Sequence, residues 1–103
     1  MDAAPVRPDP ATFDDAAELL RALGSPKRLA IIDALGVGPR CVHELVDVLD
    51  EPQPVVSQHL RVLRGARIVT GRRRGREVEY SLVDDHIRHI ATDAIRHVQE
   101  ERP

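Results

Sequence analysis

Hydrophobic residues recur at helical spacing in five stretches of the chain and alternate with polar ones in a sixth. Phe13, Ala16, Ala17, Leu20 and Leu23 mark the first apolar stripe. Thr12 with Asp15 three residues on predicts a capping box at its start, and Gly24 stops it. A second helix is expected from Ser25, with Pro26 at its first position and Leu29, Ile32 and Leu35 facing inward until Gly36 and Gly38 break it. A shorter third helix runs from about Val42 to Leu49 and buries Leu45, Val48 and Leu49. "DEPQP" reads as a turn, after which Val55, Val56, His59, Leu60 and Leu63 carry a fourth helix to about Arg64. The period then changes. Ile68 and Val69, a polar glycine-containing tip, and Val78, Tyr80 and Leu82 alternating with Glu77, Glu79 and Ser81 predict a β-hairpin with one buried face. A last helix takes residues 85 to about 101. The expected fold is mainly α with a β-hairpin, and the order of short helix, tight turn, helix and basic hairpin describes a winged helix-turn-helix.

The 103 residues fit one domain near the small end of what buries a self-sufficient core. Residues 1–11 carry three prolines and no periodicity and are expected to be a flexible tail, with the domain spanning 12–101. Phe13 and Tyr80 are the only aromatic residues, so the core must rest on Leu, Ile, Val and Ala. Small helical domains with a spare apolar face often complete their core by dimerising. Cys41 is the single cysteine, which excludes a disulfide framework. No apolar run approaches membrane-spanning length and no signal-peptide core is present, so a cytoplasmic protein without membrane association is expected.

Net charge is only −2, but its distribution is uneven. Arg61, Arg64, Arg67, Arg72, Arg73, Arg74 and Arg76 follow one another with no acid until Glu77, a local basic face that points to a polyanion. The fourth helix presents Gln53, Ser57, Gln58, His59 and Arg61 as candidates for base edges in a major groove, although His59 suits half-buried packing equally. Arg73, Arg74 and Arg76 are expected on a flexible wing loop where they could grip phosphate or enter the minor groove. The basic run alone is a weak signal and could merely solvate a hairpin. Beside a helix-turn-helix it favours double-stranded DNA.

The last helix adds a different chemistry. His86 and His97 are eleven positions apart, about 1100° of rotation, within roughly 20° of whole turns, so they share a face. The same count separates them by about 16.5 Å along the axis, too far to share an ion. Pairing the helix with an antiparallel copy about Ala91 and Thr92 brings Asp84 and His86 of each chain opposite His97 and Glu100 of the other, making two equivalent sites. His97 and Glu100 lie one turn apart, whereas Asp84 and His86 would diverge on a regular helix, so Asp84 must lie in the unwound N-cap region. Ile87, Ile90, Ala91, Ala94, Ile95 and Val98 supply the seam for such a dimer, whose expected contacts are the N- and C-terminal helices. On spacing alone, a solvated polar face accounts for these acids and histidines as well, and it is the expected role of His89, Asp93 and Glu101.

At these residues the chain resembles the ArsR/SmtB family of bacterial metal-sensing repressors over roughly residues 12–101. "LLRALGSPKRLAIIDAL" is similar to the opening helices, "QPVVSQHLRVLRGARIV" to the recognition segment and "GRRRGREVEYSL" to the wing. Asp84-x-His86 followed by His97-x-x-Glu100 resembles the family's zinc-site pattern on the C-terminal helix. The resemblance implies a homodimer that binds an operator palindrome when metal-free and is released when Zn²⁺, or Co²⁺ as its mimic, fills inter-subunit sites built from these four ligands. It also implies a link from a liganding histidine towards the end of the recognition helix, here near Arg67.

The segment "RCVHEL" departs from the family's Cys-Val-Cys pattern. One thiol at Cys41, with His43 and Glu44, cannot make a multi-sulfur site for arsenite, lead or cadmium, and Cys41 suits packing or capping better. Pro52 stands where relatives often place a capping Ser. Nickel sensors add ligands beyond the final helix, where this sequence reads "QEERP", which disfavours octahedral nickel. Three further readings stand beside zinc-dependent repression: a structural metal that cements a DNA-binding dimer, a cobalt- or nickel-responsive repressor, and an enzyme using Cys41, His43 and Asp47. The last lacks an oxyanion device or pocket in the sequence, and no enzymatic activity is expected.

Overall fold

The computed structural model describes residues 6–102. The expected tail therefore falls mostly outside the described residues or just before the first helix. Helix α1 (Pro10–Leu23) begins earlier than Thr12: Asp9 is its N-cap, accepting from the Ala11 N–H at 3.2 Å, and Pro10 takes the first position, where a missing N–H costs nothing. Thr12 and Asp15 lie inside the helix and do not cap it. Helix α2 (Pro26–Val37) starts as expected, with Ser25 Oγ accepting from the Arg28 N–H at 3.3 Å, but it runs through Gly36 and ends at Gly38.

Residues Arg40–Cys41 form a short strand, β1, that periodicity could not reveal. Helix α3 (Val42–Leu49) follows directly. Glu44 Oε1 accepts from the Cys41 N–H at 2.9 Å, closing the helix entrance. Leu45 and Leu49 are buried, whereas Val48 is 52% exposed, contrary to expectation. At residue 50 the chain turns through a left-handed conformation (φ 52°) tolerated by the short Asp side chain, and α4 (Gln53–Gly65) begins after Pro52. Glu51 in this turn pairs with Lys27 of α2 at 3.0 Å, and Lys27 Nζ also donates to the Leu49 carbonyl at 3.4 Å.

The exit from α4 is a Schellman motif. The Ile68 N–H donates to the Leu63 carbonyl at 2.9 Å and the Arg67 N–H to the Arg64 carbonyl at 3.0 Å, with fully buried Ile68 and Leu63 as the two apolar positions that accompany the motif. The left-handed position is filled by Arg67 (φ 61°) where glycine is the usual occupant. Arg67→Gly is therefore expected to stabilise the fold by about 1 kcal/mol, read as a raised urea midpoint at unchanged slope.

Strands β2 (Val69–Arg74) and β3 (Glu77–Leu82) form the hairpin, closed by the two-residue turn Gly75–Arg76 with Gly75 at φ 63°. The sheet order is β1-β3-β2, antiparallel throughout, with Arg40 opposite Tyr80 and Val69 opposite Leu82. Helix α5 (Asp85–Glu101) closes the chain. The core gathers Ile31, Ile32, Leu35, Leu45, Leu49, Val56, Leu60, Leu63, Ile68 and Val69, with Leu23 from α1 and Ile87 and Ala91 from α5. No described helix is long and apolar enough to cross a membrane.

Two expected apolar stripes are only partly used by this core. On α1, Leu23 is buried, while Phe13 is 63% and Leu20 56% exposed. On α5, Ile87 and Ala91 pack into the protomer, leaving Ile90, Ala94 and Val98 exposed at intervals of four residues. The radius of gyration of 15.8 Å also exceeds the ~13 Å of a compact domain of about 100 residues.

Candidate nucleic-acid interface and metal ligands

Helix α4 is anchored by Val56, Leu60 and Leu63, which are at most 2% exposed. Its opposite face presents Gln53, Gln58 and Arg61 to solvent, with Ser57 half-buried beside them. These are short polar and forked donors at helical neighbour positions, the side-chain types that meet base edges in a major groove. His59 is placed differently. It is half-buried, and its Nδ1 lies 3.4 Å from a guanidinium nitrogen of Arg28, whose Nε donates to the Ala22 carbonyl. Arg28 thereby joins α1, α2 and α4, and His59 serves that junction rather than the outward row.

The wing also differs from its sequence expectation. Arg73 and Arg74 lie within β2, and only Arg76 sits in the turn. Arg74 and Arg72 share a strand face, and the Arg74 guanidinium reaches both carboxylate oxygens of Glu79 at 3.4 Å. Arg73, opposite Val78, is on the other face. Arg72, Arg73, Arg74 and Arg76 are all exposed. Wing and recognition helix meet at a common hollow: a cleft of about 360 Å³ is lined by Gln53 from the start of α4, Arg76 from the turn, and Cys41, His43, Glu77 and Tyr80. His43 Nδ1 and Glu77 Oε1, 2.9 Å apart, tie the start of α3 to β3. Sequence reasoning missed this link, because nothing along the chain pairs residue 43 with 77. Burial pushes the Cys41 thiol above its ordinary pKa, with Glu77 adding to the shift, so Cys41 is not a ready thiolate.

After β3, Asp84 is the N-cap of α5 in extended conformation, as its expected role required. Oδ1 accepts from the Ile87 N–H at 3.2 Å, and Oδ2 faces His86 Nδ1 at 3.7 Å, with the His86 side chain 89% exposed. The next carboxylate is engaged locally. The Arg88 guanidinium, bonded to it, holds the Asp85 carboxyl below the usual carboxylate range, with His89 contributing. Near the carboxyl end, His97 and Glu100 are exposed one turn apart, and His97 Nε2 lies 3.2 Å from Glu101 Oε1, an exposed pair of little energetic weight. Among the described residues no three histidine, cysteine or acidic side chains gather as a metal site within one protomer. The ligand pairs stand at opposite ends of α5, and His86, Ile90, Ala94 and His97 follow one face at steps of three and four residues. Two imidazoles and two carboxylates on exposed, unhindered side chains fit a borderline divalent ion.

Known proteins are similar to this chain in sequence and architecture. Residues 25–70, from α2 through α4 into β2, match the model of the "Bacterial regulatory protein, arsR family". The chain is 54% identical over 97 residues to the HTH-type transcriptional repressor SmtB of Mycobacterium tuberculosis H37Rv, covering 94% of this chain and 72% of that protein. It is 38% identical over 98 residues to a transcriptional repressor SmtB homolog of Synechocystis, covering 92% and 74% respectively. Among solved structures, HlyU from Vibrio cholerae superposes with a TM-score of 0.79 at 28% identity, covering 85% of this chain and 96% of that one. Both sequence relatives bear the names of transcriptional repressors rather than enzymes, which leaves the pairing of Cys41, His43 and Asp47 without catalytic support. With a winged helix-turn-helix fold and a relative 54% identical over 94% of this chain and 72% of its own length, the chain belongs to the arsR family of bacterial regulatory proteins.

Proposed function

We propose that this chain is a metal-responsive transcriptional repressor, binding operator DNA as a homodimer and leaving it when zinc binds between subunits. The carrying observation is the state of α5. Asp84 is the N-cap with one oxygen turned towards His86, while His97 and Glu100 stand exposed at the far end of the same apolar face, His97 paired with the exposed Glu101. A second copy running antiparallel would cover Ile90, Ala94 and Val98 and bring each half-set to its complement, and the exposed Phe13 and Leu20 on α1 supply further surface for it. Asp84 and His86 of one chain and His97 and Glu100 of the other would hold the ion. Bound zinc would supply four-coordinate cross-linking of the two chains, without redox chemistry.

On the DNA side, Gln53, Ser57, Gln58 and Arg61 would meet base edges. Arg73 and Arg76 would meet backbone phosphate, with Arg74 partly neutralised by Glu79. The direct test is fluorescence anisotropy on an operator fragment selected from random DNA. Saturating zinc is expected to weaken binding by roughly 5- to 150-fold, the ordinary range of allosteric coupling. Affinity unchanged by zinc would reject the switch, leaving a structural metal or none.

A further inference from the structure

Two adjacent carboxylates open α5, and they stand in different states. Asp84 keeps Oδ2 free of hydrogen-bond donors and turned towards His86, 3.7 Å away. Asp85 has both oxygens taken. Arg88 Nε donates to Oδ1 at 2.7 Å and a terminal nitrogen of Arg88 donates to Oδ2 at 3.0 Å, a two-pronged grip in the geometry that suits a guanidinium and a carboxylate. His89 closes the cluster. Its Nε2 lies 3.0 Å from Asp85 Oδ2 and 3.3 Å from Arg88, so it donates to the acid when protonated there and accepts from the guanidinium when not.

An exposed ion pair of this kind is ordinarily loose. Here the arginine stem lies against α2. A Cβ at position 36 would sit 3.2 Å from Arg88 Cγ and 3.3 Å from Cδ, so the stem occupies the space that glycine leaves open. That contact gives a reason for glycine inside the last turn of α2, a position where it weakens a helix. Arg88 therefore reaches Asp85 with its stem lying against α2, and its planar fork matches the carboxylate.

We infer that Arg88 is a specificity-determining residue of the proposed metal site: by gripping Asp85 it restricts the oxygen donors at this end of α5 to Asp84. The inference rests on the metal-responsive reading above. A site limited to two imidazoles and two carboxylates suits tetrahedral zinc. A second aspartate released beside the first would add oxygen donors and favour ions that take higher coordination numbers, nickel among them.

The test uses the full-length protein and Co²⁺ as a spectroscopic probe, because four-coordinate cobalt absorbs strongly in the visible and higher-coordinate cobalt weakly. Arg88→Met keeps the stem over Gly36 and removes the fork. It is expected to weaken the visible absorption and lower the zinc-over-nickel affinity ratio by about tenfold, the smaller end of what outer residues exert on metal sites. Adding Asp85→Asn to Arg88→Met is expected to restore both, and Asp85→Asn alone to change neither. A wild-type spectrum insensitive to Asp84→Ala would overturn the metal reading and this inference together. A wild-type spectrum that Asp84→Ala abolishes but Arg88→Met leaves untouched, or that Asp85→Asn fails to restore, would overturn the inference alone.

Discussion

Replacing His97 with alanine is expected to leave metal-free operator affinity within roughly twofold of wild type, as for a surface change away from the DNA-contacting face. The same substitution is expected to abolish the zinc response. His97 is 73% exposed and, among the described residues, pairs with Glu101, itself 70% exposed, so its loss leaves no cavity and no buried partner unpaired. Zinc affinity, measured by competition with a chromophoric chelator, is expected to fall by at least about a hundredfold, since even residues behind the ligands cost up to that much. Subunit mixing provides the sharper measurement. His97→Ala and Asp84→Ala chains each lack both intact sites as homodimers. A dimer with one chain of each kind regains one complete site, from Asp84 and His86 of the first and His97 and Glu100 of the second. Random exchange makes about half the dimers mixed. Recovery of tight zinc binding on mixing is the expected result, and its absence would rule out ligands shared across subunits.

Leu60→Ala is expected to cost about 2–5 kcal/mol, a large part of the roughly 5–15 kcal/mol that holds a typical domain together. Leu60 is 2% exposed and anchors α4 between buried Val56 and Leu63, so truncation leaves a hole beneath the surface that carries Gln58 and Arg61. Operator affinity is expected to fall with stability, because the outward row depends on the inward one for its position. Val55→Ala, on the same helix at a residue 37% exposed, is the matched control and is expected to change stability by less than about 0.5 kcal/mol. Urea denaturation at one fixed protein concentration checks both, since dimerisation makes stability depend on concentration. Equal losses for the two variants would mean that α4 is not anchored as described.

The legible parts of this protein were those in which neighbours along the chain decide the outcome. Ser25 and Pro26 announced α2, alternation at 78, 80 and 82 announced β3, and the divergence of Asp84 from a regular helical path announced its place as N-cap. Misreadings occurred where a local signal had competitors. Asp9 and Pro10 start α1 ahead of Thr12, because an Asp before Pro makes as good a helix entrance three residues earlier. Arg73 and Arg74 belong to a strand because the hairpin closes through two residues, Gly75 and Arg76, rather than through a long loop. Strand β1 has two residues and no period of its own, and it exists only by pairing with β3.

By itself, the sequence determined the order of the five helices and the hairpin, most of their boundaries, the basic character of the wing and the spacing of the four ligand candidates. Each of these depends on residues within a few turns of one another, where backbone periodicity converts spacing into position. Tertiary structure alone decided which apolar stripes are covered, that His59 turns to Arg28 and that His43 joins Glu77. Those outcomes require side chains distant in sequence to meet, as Gly36 meets Arg88. Such meetings follow from how helices pack, which no local pattern encodes.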